Sequence, residues 1–185
     1  MGSTRYVALL RGINVGGRNL VAMKDLRAAL EEHGLDNVST YIQSGNVLFE
    51  SDADHDDLET DIEATLEKAF GVPLLVVVRS HRQVRSVVEK APAGFGAEPD
   101  MYHSDTLFLK APLTAKHVMD IVVLRDGVDQ AWPGTGVVYF ARLSAERTRS
   151  TMSKIIGKPE YKQLTIRSWA TTTKLLALLD KMRDE

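Results

Sequence analysis

The sequence predicts an α+β fold with antiparallel sheets. Apolar runs rich in β-branched residues alternate with segments of helical period, in the order β-α-β-β-α-β. A tight polar turn joins the second and third of these strands, and such a turn makes its two strands antiparallel neighbours. This excludes a doubly wound parallel sheet and favours a ferredoxin-like plait. The second half of the chain repeats the pattern more loosely, so the sequence predicts a duplicated plait.

Each element of the first half has a sequence signal at its start or end. The first helix stops at Gly34, the second helix stops at Gly71, and Pro73 precedes the last strand. Gly45-Asn46 is the expected two-residue hairpin turn. The predicted elements are strand 5–10, helix 23–32, strand 38–42, strand 47–49, helix 58–70 and strand 74–78.

The second half shows weaker signals for the same order. A helix carrying Val84, Val87 and Val88 and a Pro/Gly-rich loop over 91–99 link the halves. Ser168 is the expected cap of the final helix. The predicted elements are strand 106–109, helix 118–122, strand 130–132, strand 137–141, helix 153–156, strand 164–166 and a final helix. The expected domains are residues 1–80 and 104–185, with 81–103 as the link.

Composition narrows the possible functions. The 185 residues are 44% hydrophobic and 26% charged, as in ordinary globular proteins. The absence of cysteine excludes thiolate nucleophiles, disulfides and cysteine-ligated metals. No apolar run reaches the roughly 18–20 residues of a membrane helix, and none resembles a signal peptide, so a cytoplasmic location is expected.

The charge is unevenly distributed along the chain. Residues 1–79 carry 7 basic and 13 acidic side chains, whereas residues 80–185 carry 16 and 12. Segment 139–174 holds eight basic and two acidic residues. This segment is either a solvated face or a local anion-binding surface, and the acidic balance of the whole chain argues against a dedicated nucleic-acid binder.

The most unusual segment follows the first strand. It reads Arg-Gly-Ile-Asn-Val-Gly-Gly-Arg-Asn over residues 11–19, where glycines allow close backbone approach and arginines bind anions. In a plait this loop and the hairpin after the second strand leave the sheet at the same end, with Arg11 expected beside Asn46. Alternatively, the glycines serve turn geometry and the polar groups satisfy the loop backbone. The candidate ligand-binding residues are Arg11, Gly12, Asn14, Gly16, Gly17, Arg18, Asn19, Gln43, Ser44, Gly45 and Asn46.

Other chemical motifs are weaker. The phosphate-binding patterns GxxxxGK[ST] and GxGxxG do not occur, the histidines are far apart, and the acidic run 52–56 has Asp57 where a calcium loop needs glycine. We therefore predict no metal site and assign no catalytic residue or cofactor. Basic and hydroxyl residues near the end of the chain are secondary candidates for ligand contact, and these are Arg149, Ser153, Lys154, Arg167, Trp169, Thr171 and Lys174.

Two motifs resemble those of a bacterial family. Residues 10–17 (LRGINVGG) and 42–47 (IQSGNV) are similar to the signature of domain-of-unknown-function family 1697, and the resemblance spans nearly the whole chain. The resemblance implies a duplicated ferredoxin-like fold and no established activity. Similar members carry Arg-Asn-Trp-x-Thr before the last helix. Here Ser168 replaces the asparagine, so this chain has no amide side chain at that position.

These observations support three hypotheses. The leading one is a protein that binds a small anionic ligand, such as a nucleotide or phosphorylated metabolite, at the loop end of the first sheet. The second is a module for single-stranded nucleic acid, which requires exposed aromatic side chains on a sheet, with Tyr41 and Phe49 as the nearest candidates. The third is an interaction or scaffold protein without a ligand.

Overall fold

The computed structural model describes residues 3–42 and 45–182, which form two compact units. The first unit runs to Val84 and also includes the chain from Leu175 onward, and the second unit is Arg85–Lys174. Each unit contains a four-stranded antiparallel sheet. Within the described ranges, no helix is both long and apolar enough to cross a lipid bilayer.

The first unit has the strand order β2-β3-β1-β4, which is that of a ferredoxin-like plait. Two helices, α1 and α2, connect its strands, and α3 follows directly after β4. The elements are β1 (Thr4–Arg11), α1 (Met23–Glu32), β2 (Asp36–Tyr41), β3 (Asn46–Ser51), α2 (His55–Phe70), β4 (Leu75–Ser80) and α3 (His81–Glu89).

The second unit repeats this topology with the order β6-β7-β5-β8, so the predicted duplication is confirmed. Its second crossover differs, because a five-residue helix between two 3-10 segments, Ser144–Arg149 and Pro159–Gln163, replaces a long helix. The elements are β5 (Tyr102–Leu109), α4 (Ala115–Ile121), β6 (Asp129–Pro133), β7 (Val137–Leu143), α5 (Met152–Ile156), β8 (Leu164–Ser168) and α6 (Trp169–Lys181).

Both faces of the first sheet are buried. Ala8 and Leu10 of β1 belong to the apolar core that the sheet shares with α1 and α2. Val7 and Leu9 point to the opposite face, because side chains alternate along a strand, yet they are just as inaccessible to solvent. The apolar run of β1 therefore reflects burial on two sides.

Carboxylates on α2 cover the outer edge of β4. Glu63 accepts a hydrogen bond from the Val76 amide at 2.9 Å, and Glu59 accepts one from the Val78 amide at 2.9 Å. Arg79 lies 3.6 Å from the same Glu59 oxygen, and burial lowers the Arg79 pKa although Glu59 opposes the shift. These contacts satisfy amides that an open sheet edge would leave unpaired.

The expected two-residue turn Gly45-Asn46 is wrong. Asn46 is the first residue of β3 and pairs with Tyr41 of β2, so the connection consists of residues 42–45. Gly45 remains in the left-handed region with φ +81°. The hairpin is still short, and the antiparallel pairing that it implied is confirmed.

Candidate functional site

The loop between β1 and α1 is built around a tight turn at its tip. Gly16 and Gly17 have φ angles of +57° and +74°, and the Arg18 amide donates to the Val15 carbonyl at 3.0 Å. Positive φ at both central residues is the type I′ turn geometry that glycine accommodates without steric cost. Apart from the adjoining residues of the turn, no atom of the described part of the chain lies within 4 Å of where a Cβ would stand on either glycine. The tip therefore leaves open space directly over its backbone.

The two asparagines hold this loop together. The Asn14 side chain accepts from the Val21 amide at 2.8 Å and donates to the Val21 carbonyl at 3.0 Å. Asn19 donates from its side chain to the Gly12 carbonyl at 2.8 Å, and its own carbonyl accepts from the Asn14 amide at 3.1 Å. Both have positive φ, which asparagine tolerates better than most residues. Their amides thus replace the hydrogen bonds of a regular element.

The hairpin between β2 and β3 contacts the base of this loop. The Leu10 amide donates to the Gly45 carbonyl at 2.8 Å. A Cβ on Gly45 would approach Ile13 and Leu10 side-chain atoms to 2.9 Å, so only glycine fits here. The pairing is offset from the expected one, because Asn46 lies opposite Leu9, two residues before Arg11. Gln43 and Ser44 lie outside the described residues.

Asn46 is fully buried and donates from its side chain to the Tyr41 carbonyl at 3.0 Å. This bond closes the base of the hairpin between the ends of β2 and β3. Asn46 and Gly45 therefore shape the loop end from inside the protein.

Positive charge dominates the loop. Arg11 is half-buried at the end of β1, where it pairs with Leu75 of β4, and Arg18 is exposed at the tip. The first acidic residue after Arg11 is Asp25, in the first turn of α1. The loop thus presents cationic side chains and glycine backbone without a neighbouring carboxylate in its own sequence.

The loop and the neighbouring hairpin also carry exposed apolar side chains. Val15 is 63% exposed, Leu20 is 75% exposed and Ile42 is 51% exposed. Val15 and Leu20 belong to the β1–α1 loop, and Ile42 begins the hairpin that leaves the sheet at the same end. Large exposed apolar groups on one end of a protein are typical of binding surfaces.

The secondary candidates near β8 lie in the second unit and are partly internal. Arg167 is 8% exposed and donates to Thr165 Oγ1 and to the Ile166 carbonyl, each at 2.8 Å, and burial lowers its pKa to about 10. Trp169 packs edge-on against Phe95 with ring centroids 5.0 Å apart. Lys174 is exposed.

Ser168 caps α6 as predicted, since its hydroxyl accepts from the Thr171 amide at 3.2 Å. The two hydroxyls of Ser168 and Thr171 are also hydrogen-bonded to one another at 3.0 Å. Serine and asparagine are equally good caps, so the replacement of asparagine at this position keeps the capping role.

The basic and hydroxyl residues around α5 divide between structural and exposed positions. Arg149 pairs with Glu146 at 3.1 Å, and Ser153 and Lys154 are exposed in the first turn of α5. Ser150 donates to Asp129 at 2.6 Å, and the Thr151 amide donates to Asp129 at 2.9 Å.

Asp129 is the centre of this arrangement. Besides the bonds from Ser150 and Thr151, it accepts one from the Arg125 amide at 3.0 Å. Burial opposes its ionisation, but these hydrogen bonds outweigh burial and lower the Asp129 pKa. The Asp129 carboxylate therefore attaches Ser150 and Thr151, the two residues before α5, to strand β6.

The aromatic candidates for nucleic-acid stacking are not exposed on a sheet. Phe49 is fully buried in the core, where it stacks on Tyr6 with centroids 5.6 Å apart. Its selection as a candidate surface aromatic was therefore wrong. The alternation along β3 places Phe49 on the helix-covered face, a choice that short strand signals leave ambiguous. Tyr41 is half-buried.

A cavity that the sequence did not predict opens at the opposite end of the first sheet. It has a volume of about 520 Å³ and is lined by the start of β1, the start of α2 and the start of α3. Arg5, His81 and Arg82 are among its lining residues. The sequence signal is the Ser80–Gln83 capping box, in which Ser80 Oγ accepts from the Gln83 amide at 3.2 Å and Gln83 Oε1 accepts from the Ser80 amide at 2.8 Å.

Comparisons with known proteins agree with this fold. The geometry defines a duplicated plait with a rigid glycine- and arginine-bearing loop after its first strand. Residues 3–139 match the family described as Protein of unknown function (DUF1697), and the chain belongs to that family. No curated protein matches the chain.

A solved structure extends the comparison beyond the family match. The chain is similar to the conserved bacterial protein SP0830 from Streptococcus pneumoniae, with 27% identity and a TM-score of 0.82. The alignment covers 97% of this chain and 99% of that protein. Both units are therefore shared with that conserved bacterial protein.

Proposed function

We propose that this protein binds a small anionic ligand, a nucleotide or a phosphorylated metabolite, at the loop end of the first sheet. The loop end comprises residues 11–20 together with the hairpin at Gly45. One observation carries the proposal: the loop is held rigid by its own asparagine amides while Gly16, Gly17 and Arg18 stay exposed at its tip. A preorganised backbone with adjacent cations suits anion binding, because little ordering entropy is lost.

The candidate residues then fall into two roles. Arg11, Gly16, Gly17 and Arg18 would contact the ligand, with guanidinium groups supplying charge and the glycines allowing close backbone approach. Asn14, Asn19, Gly45 and Asn46 would act indirectly, because their polar groups and packing hold the loop end in place.

The location of the aromatic residues favours a small ligand over a nucleic-acid strand. Stacking of single strands on a plait requires aromatic side chains on an open sheet face. Phe49 lies in the core, and the second face of the first sheet is closed at Val7, Leu9 and Val77. The exposed apolar groups at the loop end favour the third hypothesis over the second, because an interaction or scaffold protein without a ligand, for example a dimer that buries this end, needs apolar contact surface.

Titration with pyrophosphate and ATP tests the proposal. We expect wild-type protein to gain thermal stability with increasing ligand, since a ligand that binds only the folded state stabilises it by mass action. Arg18→Gln should raise the dissociation constant by about ten- to a hundredfold, because a charge-assisted hydrogen bond contributes about 1.5–3 kcal/mol. Isothermal titration calorimetry measures the constant directly.

Arg82→Gln is the matched control, since Arg82 lines the cavity at the opposite end of the same sheet. It should leave the dissociation constant unchanged. A loss of affinity in Arg82→Gln with none in Arg18→Gln would show that the anion binds at the opposite end of the first sheet, and it would overturn the proposal. Sedimentation of wild-type protein as a dimer, with neither anion bound, would favour the interface hypothesis instead.

A further inference from the structure

The second unit contains a small aromatic pocket on its sheet. Its floor is a row of three paired residues, Ser104 of β5, Ala141 of β7 and Gln130 of β6. The small side chain of Ala141 gives the floor its depth. The volume is about 210 Å³, which at liquid density corresponds to about seven water molecules. The pocket therefore fits a compact chemical group better than a whole nucleotide.

The walls of the pocket are fixed by aromatic packing. Phe95 contacts Trp132 with ring centroids 5.9 Å apart and an angle of 84°, and it contacts Tyr139 in a similar edge-on way at 5.3 Å. A side chain on Gly96 would overlap the Trp169 ring, so the loop follows that ring closely. The perpendicular rings form a corner. A nucleobase would instead need two parallel rings between which it could stack, so this pocket suits a compact group.

Two successive turns stabilise the same loop. The Phe95 amide donates to the Pro92 carbonyl at 2.9 Å, and the Ala97 amide donates to the Gly94 carbonyl at 3.1 Å. Further along, the Tyr102 amide donates to the Glu98 carbonyl at 2.9 Å. The pocket is thus preformed, and a ligand would not have to order it.

Ser104 supplies an independent sign of a ligand. Its side chain is 8% exposed, lines the pocket, and its hydroxyl oxygen has no hydrogen-bond partner in the described part of the chain. Leaving a buried hydroxyl unpaired costs about 1–3 kcal/mol, so such groups are usually satisfied by a partner outside the protein chain.

Charge selects the class of ligand. Among the lining residues that the structure describes, Glu98 carries a charge and none is basic. The other polar side-chain groups are the hydroxyls of Tyr102 and Ser104, the Gln130 amide and the indole N–H of Trp132. A carboxylate beside aromatic faces attracts cations through direct charge and through the ring quadrupoles. Anions, in contrast, find no positive side chain here.

We propose that this pocket binds a small organic cation, a primary or secondary alkylammonium group. Its N–H donates to Ser104, its charge faces Glu98 and the aromatic corner of Phe95 and Trp132, and its alkyl part lies over Ala141. This site is separate from the loop end of the first sheet and prefers the opposite charge, so the two proposals stand or fall independently.

The test uses n-butylammonium, with n-butanol as a neutral probe of the same shape and tetramethylammonium as a cation without N–H groups. The indole N–H signals of the two tryptophans in a proton–nitrogen correlation spectrum report binding, since Trp132 is a wall of the pocket. We expect n-butylammonium to shift the Trp132 signal and n-butanol to bind at least threefold more weakly, consistent with cation–aromatic attraction.

Variants separate the contributions of charge and hydroxyl. Glu98→Gln should raise the n-butylammonium dissociation constant about twofold to fivefold. Asp100→Asn, a nearby exposed carboxylate outside the lining, should not change it. Ser104→Ala should weaken n-butylammonium and leave tetramethylammonium unchanged. Equal affinity for n-butanol and n-butylammonium, or equal losses in Glu98→Gln and Asp100→Asn, would overturn the proposal, and unchanged thermal unfolding confirms that the variants fold.

Discussion

Asparagine takes the place of secondary structure in the β1–α1 loop. Asn14 pairs its side chain with both backbone groups of Val21, as a strand neighbour would. Its φ of +53° is one that asparagine adopts more readily than other residues with side chains. Asn14 thus pairs the backbone groups of Val21 and also adopts the positive φ that the loop requires. Together these two properties explain how an exposed glycine-rich loop keeps a single conformation.

Asn14→Ala should lower the free energy of unfolding by about 1–3 kcal/mol, since it leaves the Val21 amide unpaired and places alanine at positive φ. Urea unfolding measures the change. Asn14→Gly relieves the φ strain but not the lost bonds, so it should recover part of the loss. Asn19→Ala removes one exposed bond and should cost less than Asn14→Ala. Equal costs for the two alanine variants would contradict this account.

The composition of this loop was sufficient to predict a candidate binding loop, but not the role of each residue in it. Glycine, arginine and asparagine in one segment indicate turns and polar contacts whatever their partners are. Whether Asn46 meets a ligand or the Tyr41 carbonyl depends on strand register, which one hairpin sequence does not fix. The burial of Phe49 and Arg167 was not predictable for the same reason. A shift of one residue in strand register moves every side chain to the other face of the sheet.

The second crossover of each plait shows how an element can be replaced. In the first unit α2 has sixteen residues and its carboxylates cover the edge of β4. In the second unit α5 has five residues, and short helices of this kind gain little stability from their own hydrogen bonds. Asp129 compensates by fixing the preceding residues to β6. The sequence predicted the place of α5, whereas the flanking 3-10 segments have no strong period to reveal them.

Asp129→Asn should destabilise the protein at neutral pH and not in acid. The pKa of Asp129 is lowered in the folded state, so its ionised form contributes stability that is fully present above the unfolded value of about 3.9. That contribution is lost as the pH falls through the lowered folded pKa. The difference in unfolding free energy between wild type and variant should therefore shrink below about pH 4. Asp126→Asn, on an exposed neighbour, is the control and should change the free energy of unfolding little at neutral pH. A difference between wild type and Asp129→Asn that stays constant across pH would refute the role of Asp129.

The whole molecule is a duplication in which the chain end returns to the first unit. The order of elements in both halves was predictable from hydrophobic period and turn residues. The return of the last helix was not, because it depends on contacts between residues 99 to 177 positions apart in the chain. Arg5 donates to the carbonyls of Leu179 at 3.1 Å and Met182 at 2.6 Å, and His81 bonds Asp180 at 2.6 Å. Unpaired carbonyls at the end of α6 thus gain a cationic donor.

Arg5→Ala should lower the unfolding free energy by about 1.5–3 kcal/mol, because it removes charge-assisted hydrogen bonds to two helix-end carbonyls. Backbone hydrogen exchange locates the effect, which should appear at the end of α6 and at the start of β1. Arg27→Ala is the control, since Arg27 is half-exposed on α1 and makes a 3.9 Å contact with Glu31 that contributes little. If amide exchange at the end of α6 accelerates in Arg5→Ala but stays slow in Arg27→Ala, Arg5 holds the chain end on the first unit. Equal acceleration in both variants would show that the chain end docks without Arg5.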